Sequence, residues 1–277
     1  MRRIASGFGF LYREAGFEIG ESYFLRYSAS DSYFRALGVG LANTLAVSAI
    51  GIVIATLLGA AIGLLRLSRN FLLRGIAAAY VEFIRNVPLL VQLFFWYALI
   101  SEVLPHPREA LHPLPGVFLS NRGIFLPVPG SVPVLEGFNF SGGLAISPEF
   151  GALLIGLSIY TAAFIAEIVR AGILAIPRGQ SDAAQALGLT LWQTTRKVVL
   201  PQALRVIVPP LTSQYLNLTK NSSLAVAIGY PDLVSIANTT INQTGQAIEG
   251  VAIIMAVYLT ISLSISAFMN WYNARLR

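Results

Sequence analysis

The sequence predicts an all-α integral membrane protein with five spanning helices, and three observations predict it. Of the 277 residues 55% are hydrophobic and only 12% are charged, and the mean hydropathy is +0.68. That is less charge than a soluble domain needs to cover its surface. Several uncharged apolar runs are long enough, as helices, to cross roughly 30 Å of hydrocarbon. Third, the basic residues gather at the ends of those runs rather than in one patch.

The clearest run is Leu37 to Leu65, which contains no charged residue and ends at Arg66, Arg69 and Arg74. Within it Gly59 and Gly63 form a GxxxG pair, the pattern that lets two helix backbones approach closely in lipid. A second span is expected from Ala77 to Leu104, with Glu82 and Arg85 in its first turns, and a third from Phe150 to Val169. The fourth begins near Val206 and runs through a polar stretch around Lys220; the last covers Gly250 to Tyr272. Residues 37–275 therefore form one transmembrane domain, preceded by an N-terminal segment, 1–36. Residues 105–148 are rich in proline and glycine, too polar and broken to span, and are expected to form an ordered external excursion. No internal repeat is evident.

Orientation follows from lysine and arginine in the loops. If the first span exits into the cytoplasm, that side carries eleven basic residues, in 66–85, in loop 170–205 and at the C-terminus. The opposite loops carry Arg108 and Arg122. Glu109 and Asn242 are then external, and Asp182 and Arg275 cytoplasmic. The N-terminal segment opposes this, because Arg2, Arg3, Arg13, Arg26 and Arg35 fall outside. Phe8, Leu11, Ala15 and Ile19 share a helical face, so this segment is expected to lie along the membrane surface.

Several function classes are excluded or unsupported. No cysteine occurs, which removes disulfides and thiolate chemistry. The two histidines, His106 and His112, both lie in the proline-rich excursion, and no HExxH occurs. The net charge of +6 is explained by bilayer orientation, with no call for nucleic acid. The two lysines, Lys197 and Lys220, do not complete a GxxxxGK[ST] phosphate loop, so the chain cannot hydrolyse ATP by itself.

Loop 170–205 carries the most specific signal. An alanine-rich run around Asp182, Ala183 and Ala184 favours helix, and Gly188 suits the position just past a helix end. Thr190-Leu191-Trp192-Gln193 then reads as a capping box opening a second helix. The two short helices bring Leu187, Leu189, Leu191 and Trp192 to their corner. Pattern alone leaves two readings open: a connector lying on the lipid surface, or an element on which another protein docks.

Asp182-Ala183-Ala184, Gly188, and Val198-Val199-Leu200-Pro201 together resemble the EAA loop of ABC importer permeases, with Asp182 where glutamate is usual. Arg85-Asn86-Val87-Pro88-Leu89-Leu90-Val91-Gln92, Ala166-Glu167-Ile168-Val169-Arg170 and Lys220-Asn221-Ser222-Ser223-Leu224 are similar to stretches of the polar amino-acid permeases. The resemblance covers 37–275, and the excursion with Leu119-Ser120-Asn121-Arg122-Gly123 is similar to the general L-amino-acid branch. It implies a type I ABC importer permease-like bundle, multi-pass in a bacterial inner membrane, carrying L-amino acids inward. Partners implied are a second permease subunit, identical or related, two ATP-binding subunits and a periplasmic amino-acid-binding protein. ATP and Mg would sit on the partner subunits, with no cofactor in this chain. Asp182, Ala183, Ala184, Leu187, Gly188, Leu191, Trp192 and Pro201 become the residues expected to couple to the ATPase. The rival reading, a stand-alone secondary transporter or channel for small polar solutes, offers no reason for that loop.

Candidate residues along a transport path are fewer. Lys220 is the only basic residue between Arg205 and Arg275. An ionisable residue at membrane depth marks a functional site, or it snorkels to an interface. Asn217, Asn221 and Ser222 surround it in sequence, either as substrate ligands or as interhelical hydrogen-bonding groups. Glu167 stands three residues before Arg170, which suits an ion pair or gate as well as a substrate ligand, and Glu82 and Arg85 repeat the spacing. Gln92 and Tyr160 are further candidates, with packing as the alternative.

Overall fold

A computed structural model describes residues 7–22 and 24–276; Arg2, Arg3 and Arg277, counted in the charge balance, lie outside the described residues. The helices are α1 (Tyr33–Leu65), α2 (Phe71–Asn86), α3 (Leu89–Ala98), α4 (Pro148–Leu174) and α5 (Arg178–Ala186). They continue with α6 (Leu191–Thr194), α7 (Leu200–Asn221), α8 (Leu233–Thr244) and α9 (Ala247–Leu276). Among the described residues α1, α4 and α9 are long and apolar enough to cross a membrane unbroken. Two bent pairs raise this to five spans if each pair counts as one. The mostly helical architecture agrees with the expected class.

The second span is not the single helix expected from Ala77 to Leu104. It breaks between α2 and α3 with a bend of 103°. Val87 precedes Pro88, and the proline ring excludes that residue from the helical region. Pro88 instead opens α3, where its missing N–H costs nothing. The fourth span starts earlier than expected, at Leu200, and carries Pro209 and Pro210 inside the helix. Beyond Asn221 it tightens into a 3-10 segment, Ser222–Ile228, which ends at Gly229 in the left-handed conformation.

The chain forms two compact units. The first holds 1–51, 87–157 and 221–254. It includes the excursion, which adds strands that the sequence reading left undescribed: β1 (Leu111–Leu114), β2 (Val117–Ser120), β3 (Gly123–Leu126), β4 (Val134–Glu136), β5 (Asn139–Ser141) and β6 (Leu144–Ile146). These make an antiparallel four-stranded sheet in the order β1-β2-β3-β6 and a separate β4-β5 hairpin. Phe118, Phe125 and Phe140 stack between the two, with centroids 4.4 and 4.9 Å apart.

The N-terminal segment corrects an expectation. Among the described residues that precede α1, the helical stretch is Phe8–Tyr12, a short 3-10 turn, and Leu11, Ala15 and Ile19 do not share one continuous helix. The following chain runs back against residues 29–32, Ala15 N donating to Asp31 O and Gly16 N to Ala29 O. Phe10, Ala15 and Ile19 are buried within the protein. Asn43 of α1 fixes this segment by donating to the carbonyls of Glu21 and Pro231, each at 2.9 Å.

The second unit holds 52–86, 158–220 and 255–277. Here the GxxxG expectation is met by geometry. A Cβ on Gly59 would lie 2.7 Å from Ile165 Cβ and 2.8 Å from Ala162 O. On Gly63 it would lie 2.7 Å from Ala166 O and 2.9 Å from Val169 Cβ. Only glycine permits this approach of the end of α1 to α4.

Candidate functional site

The loop between α4 and α7 folds as two short helices around a glycine. At the end of α5, Leu189 N donates to Ala184 O at 3.1 Å and Gly188 N to Gln185 O at 2.9 Å. These two bonds make the Schellman closure, which needs a left-handed residue; Gly188 supplies it, with φ +82°. Thr190 then caps α6: its hydroxyl accepts from Gln193 N while the Gln193 side chain accepts from Thr190 N.

This backbone has one chemical consequence. Leu187 is 84% exposed, Leu191 71% and Trp192 70%, grouped on a short polar hairpin. Asp182 and Ala183 are exposed beside them, whereas Ala184 faces inward. Pro201 lies in the first turn of α7 and has no N–H to give Lys197 O. The preceding Thr195–Val199 is a π-turn, the local widening that a disturbed hydrogen-bond ladder produces.

Glu167 pairs with Arg170, at 2.5 Å from Oε1, and also with Arg66. The i,i+3 pair was legible in sequence; Arg66 was not assigned to it. Arg66 follows α1 by one residue, one turn beyond Gly63, so the glycine register that brings α1 against α4 also delivers its guanidinium to Glu167. Arg66 is 13% exposed and Glu167 28%, and one carboxylate here satisfies two cations. Arg85 does not pair with Glu82; it lies over the Phe164 ring at 5.1 Å. The ring of Tyr160 packs 5.0 Å from the same phenylalanine.

The transport candidates are divided between the two units. Tyr160, Glu167, Asn217 and Lys220 belong to the second unit, and Gln92, Asn221 and Ser222 to the first. Asn217 and Lys220 are exposed near the end of α7, Asn221 is half-buried and Ser222 is buried. Gln92 has a structural task, because its Nε2 donates to Val87 O at 3.0 Å and so covers a carbonyl left open by the break at Pro88.

Comparisons with known proteins agree on one family. Residues 50–277 match the model of the binding-protein-dependent transport system inner membrane component. The chain is 45% identical to the general L-amino acid transport system permease protein AapQ of Rhizobium johnstonii, over 98% of this chain and 84% of that protein. It is 36% identical to the glutamate/aspartate import permease protein GltJ of Escherichia coli K12, over 89% of each. Among solved structures, an amino acid ABC transporter crystallised with histidines matches with a TM-score of 0.65 at 29% identity, covering 88% of this chain and 95% of that one.

Proposed function

Because the chain belongs to the family of binding-protein-dependent transport system inner membrane components, we propose that it is the permease subunit of an ABC importer that moves L-amino acids into the cytoplasm across a bacterial inner membrane. Relatives at 45% and 36% identity are named as a general L-amino acid and a glutamate/aspartate permease, which supports the substrate class. A second permease subunit, two ATP-binding subunits and a periplasmic binding protein complete the assembly. ATP and Mg bind on the partner subunits.

The observation that carries the coupling role is the corner at Gly188. Burying Leu187, Leu191 and Trp192 in a groove of an ATPase subunit removes large apolar surface from water, at about 25 cal/mol per Å². Two helices closed by a Schellman turn and a capping box form a stiff lever, so a displacement of the corner passes to α4 and α7. Asp182 on α5 supplies a charged contact beside the apolar ones. Asn217, Lys220, Asn221 and Ser222 remain the proposed substrate-contacting stretch, with Lys220 attracting the carboxylate; Gln92, Tyr160 and Glu167 are further candidates along the path.

The test is uptake of labelled L-amino acids by proteoliposomes holding the purified complex, with the loaded binding protein outside and ATP inside. Uptake is expected to require the ATPase subunits. Uptake that persists at full rate without them would assign the chain to stand-alone transport. Lys220→Met is expected to lower uptake more than assembly.

A further inference from the structure

An acidic cavity in the first unit has no role in that scheme. Its volume is about 520 Å³, within the range of small-molecule sites. Its walls come from the N-terminal segment, the first turn of α4 and the loop and first turns of α8; Glu18, Glu21 and Glu149 line it, with no lysine or arginine among its described lining residues.

Two of its acidic-side groups have local explanations. Ser147 caps α4, accepting from Phe150 N at 3.0 Å, and Glu149 in the first turn is favoured by the helix dipole. Glu21 has no such explanation. It is 7% exposed; its Oε1 accepts from Ser147 Oγ at 2.5 Å, and its Oε2 is buried without a hydrogen-bond partner. A buried carboxyl oxygen normally finds a donor, and one left open beside a cavity marks a missing group. Burial pushes the Glu21 carboxyl up to about 7, with Ser147 opposing and Glu149 adding to the rise. Glu18 adds a third carboxyl to the wall, Ser235 and Thr239 of α8 line it as neutral groups, and Glu149 accepts from Tyr97 at 3.2 Å.

We propose that this cavity binds a small organic cation through an ammonium or guanidinium group held by Glu21 and Glu149. Among the described residues no set of acidic or histidine side chains converges closely enough to hold a metal ion. The carboxyls therefore suit a wider, multi-donor cation whose N–H groups reach separate acceptors. The terminal torsion of a glutamate is soft, so Oε2 turns toward an arriving donor. The backbone frame is already held by Asn43.

The probe is agmatine, a cation without a carboxylate, titrated into the full complex in nanodiscs without ATP. Failure here therefore leaves the transport reading untouched. Saturable binding is expected to survive matched sodium chloride. It should weaken at least tenfold in Glu21→Gln and in Glu149→Gln, and decline as the pH falls below about 7 and Glu21 takes up its proton. If Glu21→Gln fails to assemble, Glu149→Gln carries the comparison alone. No saturable binding, binding abolished by sodium chloride, or equal affinity in the assembled variants would overturn the proposal.

Discussion

Glu167 and Glu21 are both glutamates drawn away from bulk water, yet their surroundings are opposite in sign. Glu167 meets two guanidiniums, Arg66 and Arg170. Glu21 meets one hydroxyl and a second carboxylate across a cavity. A buried charge with its counter-charges is a structural joint; removing one member strands the others. A buried acid without a counter-charge spends its time protonated or waits for a cation. The difference separates a fastening from a site, although the residue type is the same.

The largest expected effect concerns Glu21 and pH. Its carboxyl is raised from 4.5 to about 7 in the folded chain, so the native state holds the proton more tightly than the unfolded one. Its contribution is fully present below about 4.5, falls as pH rises to about 7 and is flat above. The loss is on the order of 3 kcal/mol. Thermal unfolding in detergent should show that decline in the parent and lose it in Glu21→Gln. An identical pH profile in both would contradict the assigned environment.

Glu167→Gln should behave in the opposite way. It leaves Arg66 and Arg170 facing a neutral amide, and because the cluster is partly exposed the cost is about 2 kcal/mol. The apparent melting temperature should fall by several degrees at any pH where the carboxylate is ionised. At pH 8 Glu21→Gln should be at least as stable as the parent, so the two substitutions diverge. Equal responses would dissolve the contrast.

A smaller effect is expected at Gly188. A Cβ there would meet nothing within 4 Å, so Gly188→Ala costs only the left-handed backbone, about 1 kcal/mol. Circular dichroism should be unchanged, while proteolysis within loop 175–200 should accelerate. A loop as resistant as the parent's would argue against the Schellman closure.

Much of this was legible in the sequence where the cause is local. The apolar runs, the capping box at Thr190, the closing glycine at 188 and the Glu167–Arg170 spacing depend on neighbours within a few residues. The GxxxG at Gly59 and Gly63 was read correctly because close packing leaves its mark on one helix alone. The break at Pro88 carried a local signal, the proline following Val87, outweighed by the length of the apolar run. Arg66 beside Glu167 and Ser147 beside Glu21 are separated by 101 and 126 residues, and no local pattern encodes such pairs. For the same reason Phe8, Leu11, Ala15 and Ile19 suggested a surface helix: their spacing fits one, but backbone bonds to residues 29–32 prevail. In the excursion β1 pairs with β2 across a glycine turn at 116 and β4 with β5 across one at 137, and strands of three or four residues are too short to show a clear alternation.

The central claim, that partner ATPases act on this chain through the corner at Gly188, is tested most directly by ATPase activity of the reconstituted complex with loaded binding protein. Gly188→Val adds a β-branched side chain at a left-handed position, displacing Leu187 and Trp192 without touching α4 or α9. Stimulation by the binding protein is predicted to fall at least fivefold while assembly and the unstimulated rate persist. Stimulation equal to the parent's in a fully assembled Gly188→Val complex would contradict the account.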